Sequence, residues 1–333
     1  MKRAVVCGAS GFIGGHLVRR LKDDGYYVVA IDRRHPEFRP HGADIFHWND
    51  LRHPHNLLSM IGEADEVYQL AANMGGASFV FSGDNDAEIM HDNALINITV
   101  LDSCRQAQVG RIFYSSSACV YPDQDTSELG FTPTELGLYT KHSGMRESDA
   151  YPAQPDSDYG FEKLFSERLY ESYSRNYAMT VRIARFHNVF GSFGSWTGGR
   201  EKAPAAICRK VAQAENGTFI DVFGDGEQTR SFLYVDDCVD GTLKLMRSDV
   251  QGPLNIGSDQ MLSINQLVDT VTEIAGKTLS RHHILGPVGV RGRNSDNTLV
   301  KRMIGWEPAT PLKDGLTTTY KWIADQVLTS ATS

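Results

Sequence analysis

Cysteine is scarce in this chain and nowhere paired in sequence. There are five in 333 residues (Cys7, Cys104, Cys119, Cys208 and Cys238), an odd, scattered set without a Cys-x-x-Cys. That excludes a disulfide framework and a zinc site of the usual spacing, and it is the usage expected of a reducing cytoplasm. Long apolar runs are missing as well. None approaches the ~18 residues of a membrane-crossing helix. Met1-Lys2-Arg3 leads straight into an apolar strand, so neither a transmembrane helix nor a signal peptide is expected. A long basic run is the third absence, and with a net charge of −8 it argues against nucleic acid as a partner. No internal repeat, low-complexity stretch or extended linker divides the chain.

What is present is an ordinary soluble composition, 41% hydrophobic and 22% charged, in a chain long enough for two lobes or one large domain with a smaller cap. Ala4-Val5-Val6-Cys7 is a short apolar run of the buried parallel kind. It leads into Gly8-Ala9-Ser10-Gly11-Phe12-Ile13-Gly14, then a helical pattern ending near Gly25, then a strand Tyr27–Ile31 closed by Asp32. Glycines at 8, 11 and 14 suit a tight turn, close backbone approach to a pyrophosphate, and close helix–strand packing, with the helix N-terminus facing the phosphates. An acid about 20 residues further on, here Asp32, would accept from the adenosine ribose and repel a 2′-phosphate. This unit reads as a dinucleotide site for NAD, although Arg33-Arg34 would also suit a 2′-phosphate.

The alternation continues with strands at Asp44–Trp48, Glu66–Ala72 and Arg111–Ser115, and a long helix over Asn85–Gln108. Asp50 follows the third strand, placed either to meet an adenine amino group or to cap a helix. In an open parallel sheet, ligands lie beyond the carboxyl ends of the strands, where Gly75-Gly76 and Ser115-Ser116-Ser117 fall. Further on, Tyr159 and Lys163 stand four apart, on one face of a helix. A cation held there favours phenolate, so Tyr159 is expected to titrate below the usual ~10 and to pass a proton while a nicotinamide takes a hydride. The plain alternative for such a pair is a solvated helix turn.

Together, Gly8-x-x-Gly11-x-x-Gly14, the serines before Val120-Tyr121, and Tyr159-x-x-x-Lys163 resemble the extended short-chain dehydrogenase/reductases that modify nucleotide sugars, over essentially the whole chain. The resemblance implies a Rossmann-type doubly wound parallel sheet with a smaller C-terminal α/β lobe. It implies NAD held by Gly8, Gly11, Phe12, Ile13, Gly14, Asp32, Asp50, Tyr159 and Lys163, and it places Ser117 in the proton chemistry beside Tyr159 and Lys163. Sugar dehydratases of the family carry Asp-Glu just after the Ser/Thr; Ala118 and Cys119 stand there instead, so water elimination is not expected. A thiol at that position can give and take a proton, or it can simply fill space at a strand end. Lys202 sits where the Gly198-Gly199 loop meets a helix opened by Ala203-Pro204. Arg200, Arg209 and Lys210 nearby are expected to lower its pKa into a usable range, or else form a phosphate-binding basic patch with it.

The stretches Asn73–Gly76, Ser117–Pro122, Gly198–Ala206, Gly226–Phe232 and Gly289–Asp296 resemble the GDP-mannose 3,5-epimerase group within that family. That resemblance implies Cys119 and Lys202 as an acid/base pair on opposite faces of the sugar. It further implies that Gly75, Ser117, Asn188, Glu201, Lys202, Lys210, Gln228, Arg230 and Arg291 contact the nucleotide sugar. Val120, Tyr234 and an unfamiliar loop, Pro133–Arg146, depart from the group, which leaves open the epimer formed and the role of residues 123–150.

The expected organisation is residues 1–180 as an NAD-binding domain carrying Ser117, Tyr159 and Lys163, and 181–333 as mainly the nucleotide-sugar lobe, the chain being free to cross between them. In the second half, Phe219–Phe223 and Ser231–Val235 read as a hairpin across Gly224-Asp225-Gly226, with helices after Asp236-Asp237, over Ile264–Ala275 behind the cap Ser263, and over Leu312–Val327. The expected function is NAD-dependent epimerisation of a GDP-hexose, foremost GDP-mannose at C3′ and/or C5′ through a 4-keto intermediate, with no metal. The alternative is a 4-epimerase, or a single-carbon epimerase on another nucleotide sugar. Asp32 speaks against a net reductase, and the presence of Ser117, Tyr159 and Lys163 against a nucleotide-sensing module. The helices Asn85–Gln108 and Tyr159–Tyr177 lie where enzymes of this family pair, which implies a homodimer in the cytoplasm.

Overall fold

The computed structural model describes residues 1–122, 144–286 and 292–332. The chain begins with β1 (Arg3–Cys7), α1 (Phe12–Asp23), β2 (Tyr27–Asp32), β3 (Ile45–Trp48), α2 (Leu57–Ile61), β4 (Glu66–Gln69), α3 (Ala77–Val80), α4 (Asp86–Gln106) and β5 (Arg111–Ser117). After two 3-10 turns, Ala118–Val120 and Glu147–Ala150, come α5 (Asp158–Tyr177), β6 (Thr180–Phe186), β7 (Val189–Phe190), α6 (Ala203–Gln213), β8 (Phe219–Phe223), β9 (Thr229–Ser231), β10 (Leu233–Tyr234) and α7 (Val235–Arg247). The chain continues through β11 (Pro253–Ile256), β12 (Met261–Ser263), α8 (Ile264–Ile274), β13 (Ser280–Ile284), β14 (Gly292–Arg293), α9 (Thr298–Ile304) and α10 (Leu312–Thr332).

Seven strands form one sheet in the order β11-β6-β5-β4-β1-β2-β3, with every neighbouring pair parallel. Its central strands are buried on both faces, which is why they read as continuous Val/Ile/Ala runs. Leu17, Val18 and Leu21 of α1 and Leu243 and Met246 of α7 cover one face, together with Trp306. Leu57 and Ile61 of α2, Val100, Leu101 and Cys104 of α4 and Tyr170 of α5 cover the other. The chain runs outward from β1 to β3, then restarts on the opposite side of β1 with β4. The loops after β1 and β4 therefore diverge and open a crevice at their carboxyl ends. Ser117 pairs in register with Phe186, so β5 and β6 finish level at that crevice.

The sheet is completed from the second half of the chain. β6 and β11 are its last two strands, and α7 packs against α1. A smaller core is built from Ile207, Cys208 and Val211 of α6, Ile220 and Val222 of β8, Leu267 and Val268 of α8, and Leu316 and Ile323 of α10, while Val300 of α9 joins the core of the large sheet.

The expected hairpin is not formed. β8 pairs in parallel with β13, Phe219 opposite Ser280, whereas β9 pairs with β12 and β14. The alternating apolar pattern of β8 buries Ile220 and Val222 on the small core whichever partner it takes. Gly224 and Gly226, both at positive φ, turn the chain away instead of folding it back on itself. Helix limits follow their caps. The Ser157 hydroxyl accepts from Gly160 N at 3.2 Å, and Ser263 and Gln266 close a reciprocal capping box on α8. Among the described residues no helix is long and apolar enough to cross a membrane, and no group of three or more His, Cys, Asp or Glu is arranged for a metal ion.

Candidate active site

A cleft of ≈ 300 Å³ lies along the carboxyl ends of β1, β4 and β5. At one end are Gly8, Gly11, Phe12, Ile13, Gly14 and Asp32; at the other are Ser117, Tyr159, Lys163 and Lys202. Gly8 adopts φ +80°, and a Cβ there would stand 2.8 Å from Ala71 N, while one on Gly14 would run into the Gly8 carbonyl. Helix α1 is therefore seated directly on the turn. No side chain caps it at Gly11, so its first N–H groups are left for an anion. Asp32 Oδ2 accepts from Ser10 N and Oδ1 from Arg34 N, both at 3.0 Å, which fixes the acid at the rim. A cradle that a Cβ would fill, an uncapped helix start and a carboxylate beyond it fit a dinucleotide.

Asp50 also lines the cleft, where Arg52 Nη2 donates to it at 2.5 Å, and α2 is capped at Asn56 and not by Asp50. That hydrogen bond holds its carboxyl at about 2, well below the usual range. Arg52 reaches on to Asp92 of α4, another lining residue, which sequence reading missed. Its signal was the run of polar residues on a buried helix face, Asp92, Asn93 and Asn97.

Tyr159 and Lys163 sit in the first two turns of α5, both buried. Lys163 Nζ donates to Ser115 O at 3.0 Å and lies 5.6 Å from the centre of the Tyr159 ring. Burial pushes the Tyr159 phenol well above its ordinary value, with Cys119 and Glu162 adding to the rise and the Ser117 hydroxyl opposing it. Burial thus acts against the expected lowering by Lys163, whose own pKa burial also lowers. Ser117 Oγ also accepts from Cys119 N at 3.2 Å, so one hydroxyl touches both the Tyr159 and Cys119 positions.

Cys119 stands just behind the cleft wall, packed with Val80, Ile89 and Tyr159, and burial raises its thiol pKa. Lys202 lines the cleft as the N-cap residue of α6, with Pro204 in the first turn. Its pKa is lowered as expected, but by desolvation and not by neighbouring cations. Arg209 donates to Glu201 at 3.1 Å, Lys210 to Asp221 O at 2.6 Å, and Arg200 stacks 4.1 Å over the Phe79 ring. Gly76 N donates to Arg200 O at 3.1 Å, which brings the loop after β4 and the loop before α6 together over Gly75.

Asn188, Glu201, Lys210, Gln228 and Arg230 do not line this cleft, and Arg291 and residues 133–143 of the loop lie outside the described residues. Asn188, at φ 34°, donates to Ser231 O at 3.1 Å, and Gln228 donates to Phe223 O at the same distance, so both fasten the β9 region. Gly194 and Ser195 line the cleft without having been foreseen; a Cβ on Gly194 would lie 3.2 Å from the Phe12 ring.

The profile of the NAD dependent epimerase/dehydratase family matches residues 4–257. The GDP-mannose 3,5-epimerase 1 of Oryza sativa subsp. indica is 45% identical over 98% of this chain and 82% of its own length. The GDP-mannose 3,5-epimerase of Arabidopsis thaliana is 45% identical over 97% and 82%. Among solved structures, MoeE5 in complex with UDP-glucose and NAD superposes with a TM-score of 0.81 at 28% identity, over 98% of this chain and 99% of that one. The chain belongs to the NAD dependent epimerase/dehydratase family and, within it, stands with the GDP-mannose 3,5-epimerases.

Proposed function

We propose that this enzyme epimerises GDP-mannose at C3′ and C5′ through a ketone at C4′. The observation that carries the reading is the convergence on one cleft of Ser117, Tyr159 and Lys163 from the central sheet with Lys202 from α6, Cys119 lying against the same serine. Bound NAD would be held by the Gly8–Gly14 turn and Asp32, and would supply the hydride acceptor and donor at C4′. Tyr159 Oη, as the phenolate that the positive charges of Lys163 and of bound oxidised cofactor would favour against its burial, takes the C4′ hydroxyl proton and later returns it, with Ser117 as its hydrogen-bonding neighbour. A C4′ ketone acidifies the protons on C3′ and C5′. The shifts on Lys202 and Cys119 favour an uncharged amine and an uncharged thiol. Lys202 Nζ is then the group able to remove a carbon proton, and Cys119 Sγ the group able to deliver one to the other face. Each inversion leaves Lys202 with a proton gained and Cys119 with one lost, and exchange with solvent restores both before the next.

The outer faces of α4 and α5 expose Met90, Ile98, Phe161 and Phe165, an apolar surface that suits pairing with a second copy of this chain. The function is tested by incubating the enzyme with GDP-mannose in deuterated water. Deuterium is expected at C3′ and C5′; its absence from both would sink the proposal, and exchange without C4′ label transfer would move the chemistry away from a ketone.

A further inference from the structure

A buried polar cluster beneath the cleft takes no part in these proton transfers. Arg185 of β6 is 1% exposed and Glu167 of α5 is 2% exposed. Arg185 Nε donates to Glu167 Oε1 at 2.9 Å and Nη2 to Oε2 at 2.7 Å, a bidentate pair. Glu167 lies one turn beyond Lys163 and two beyond Tyr159, on their face of the helix. The remaining nitrogen of Arg185, Nη1, donates to Tyr121 OH at 3.1 Å and Glu147 O at 2.8 Å. Tyr121 ends the 3-10 turn that contains Cys119, and its hydroxyl donates to Asn255 Oδ1 of β11 at 2.7 Å. Ser116, beside Ser117, donates to Glu167 Oε1 at 2.5 Å.

Stability alone is a poor reason for this composition. Taking a buried ion pair out of water can cost as much as its attraction returns, and apolar residues of similar volume often do as well. Directional bonds supply what apolar packing does not: fixed spacing between the parts they join. Here the joined parts are the helix bearing Tyr159 and Lys163 and the turn bearing Cys119.

We propose that Arg185 and Tyr121 are positioning residues that hold the Cys119 turn at a set distance from the Tyr159–Lys163 face of α5, so that redox and proton exchange act on one unmoving sugar. The proposal rests on the function given above. A misplacement of ~1 Å can cost ~10²-fold in rate, and the turn has few other polar ties: Ser117 Oγ to Cys119 N, and the Tyr121 bonds just described.

The test compares two rates: transfer of a C4′ deuterium label to the cofactor in ordinary water, and uptake of solvent deuterium at C3′ and C5′. Unsubstituted enzyme is the reference; if it takes up no deuterium, the proposed function itself fails, whatever the variants do. With that reference positive, Tyr121→Phe removes one hydroxyl and leaves the Arg185–Glu167 pair intact. It is expected to lower uptake relative to label transfer by roughly tenfold or more. Arg185→Lys keeps a charge beside Glu167 without also reaching Tyr121, and should shift the ratio the same way. A purely structural role would lower the melting temperature and leave the ratio alone. An unchanged ratio in whichever variants fold overturns the proposal, and so does failure of both to fold.

Discussion

Lys202 and Cys119 are displaced in opposite senses by one cause, the loss of water around each. Acid refills a lysine whose pKa is lowered only at a pH below that of an ordinary lysine, and the ammonium so formed cannot accept a proton. Solvent deuterium uptake should therefore fall as pH drops through that lowered value, at a lower pH than an ordinary lysine would give. Lys202→Arg keeps a charge that does not titrate, so uptake is expected to drop by ~10²–10⁴ while C4′ label transfer persists. Isotope analysis of recovered sugar reads both, and normal uptake in Lys202→Arg would remove Lys202 from the chemistry. The residue positions behind this were legible: spacing picked out Tyr159 and Lys163, and a proline after a glycine loop placed Lys202 at a helix start. The causes and one sign were not. Arg200, Arg209 and Lys210 are each engaged elsewhere, and the rise of Tyr159 comes from burial, which spacing along a chain does not disclose.

Helix α5 offers a test in which two effects oppose each other. Alanine in place of a helical glycine ordinarily gains about 0.5–1 kcal/mol. At Gly160, however, a Cβ would run into the Cys119 carbonyl oxygen and stand 2.9 Å from Pro155 Cβ. Backbone on one side leaves little room to yield, and overpacking costs about 1–3 kcal/mol. Gly160→Ala should consequently melt below the unsubstituted protein; a higher melting temperature would show that the turn gives way freely. At this scale, β1, α1 and β2 were legible because each is apolar in its own period and bounded by a glycine, whereas the five-residue α2 is too short to show a period. β8 was misassigned for a physical reason. A strand of period two buries the same residues against any partner, and β13, its actual one, follows α8 far along the chain.

Across the whole molecule, the uncovered apolar side chains on α4 and α5 predict association. Phe165, 52% exposed, is the outermost of them. Phe165→Asp should shift a dimer towards the 36.9 kDa species in sedimentation without changing the melting of the monomer. An unsubstituted protein that sediments only as monomer at micromolar concentration would refute the pairing. The strand order carries a further consequence, one for biosynthesis. Because β6 and β11 finish a sheet that β1 begins, a nascent chain that has emerged only through residue 180 presents β5 as an open edge. Such edges invite pairing with the wrong chain. β6 covers that edge once residue 186 has emerged but then waits for β11, so the sheet stays incomplete until residue 256 clears the ribosome. The interval from residue 180 to 256 is when this protein most needs shelter from its neighbours.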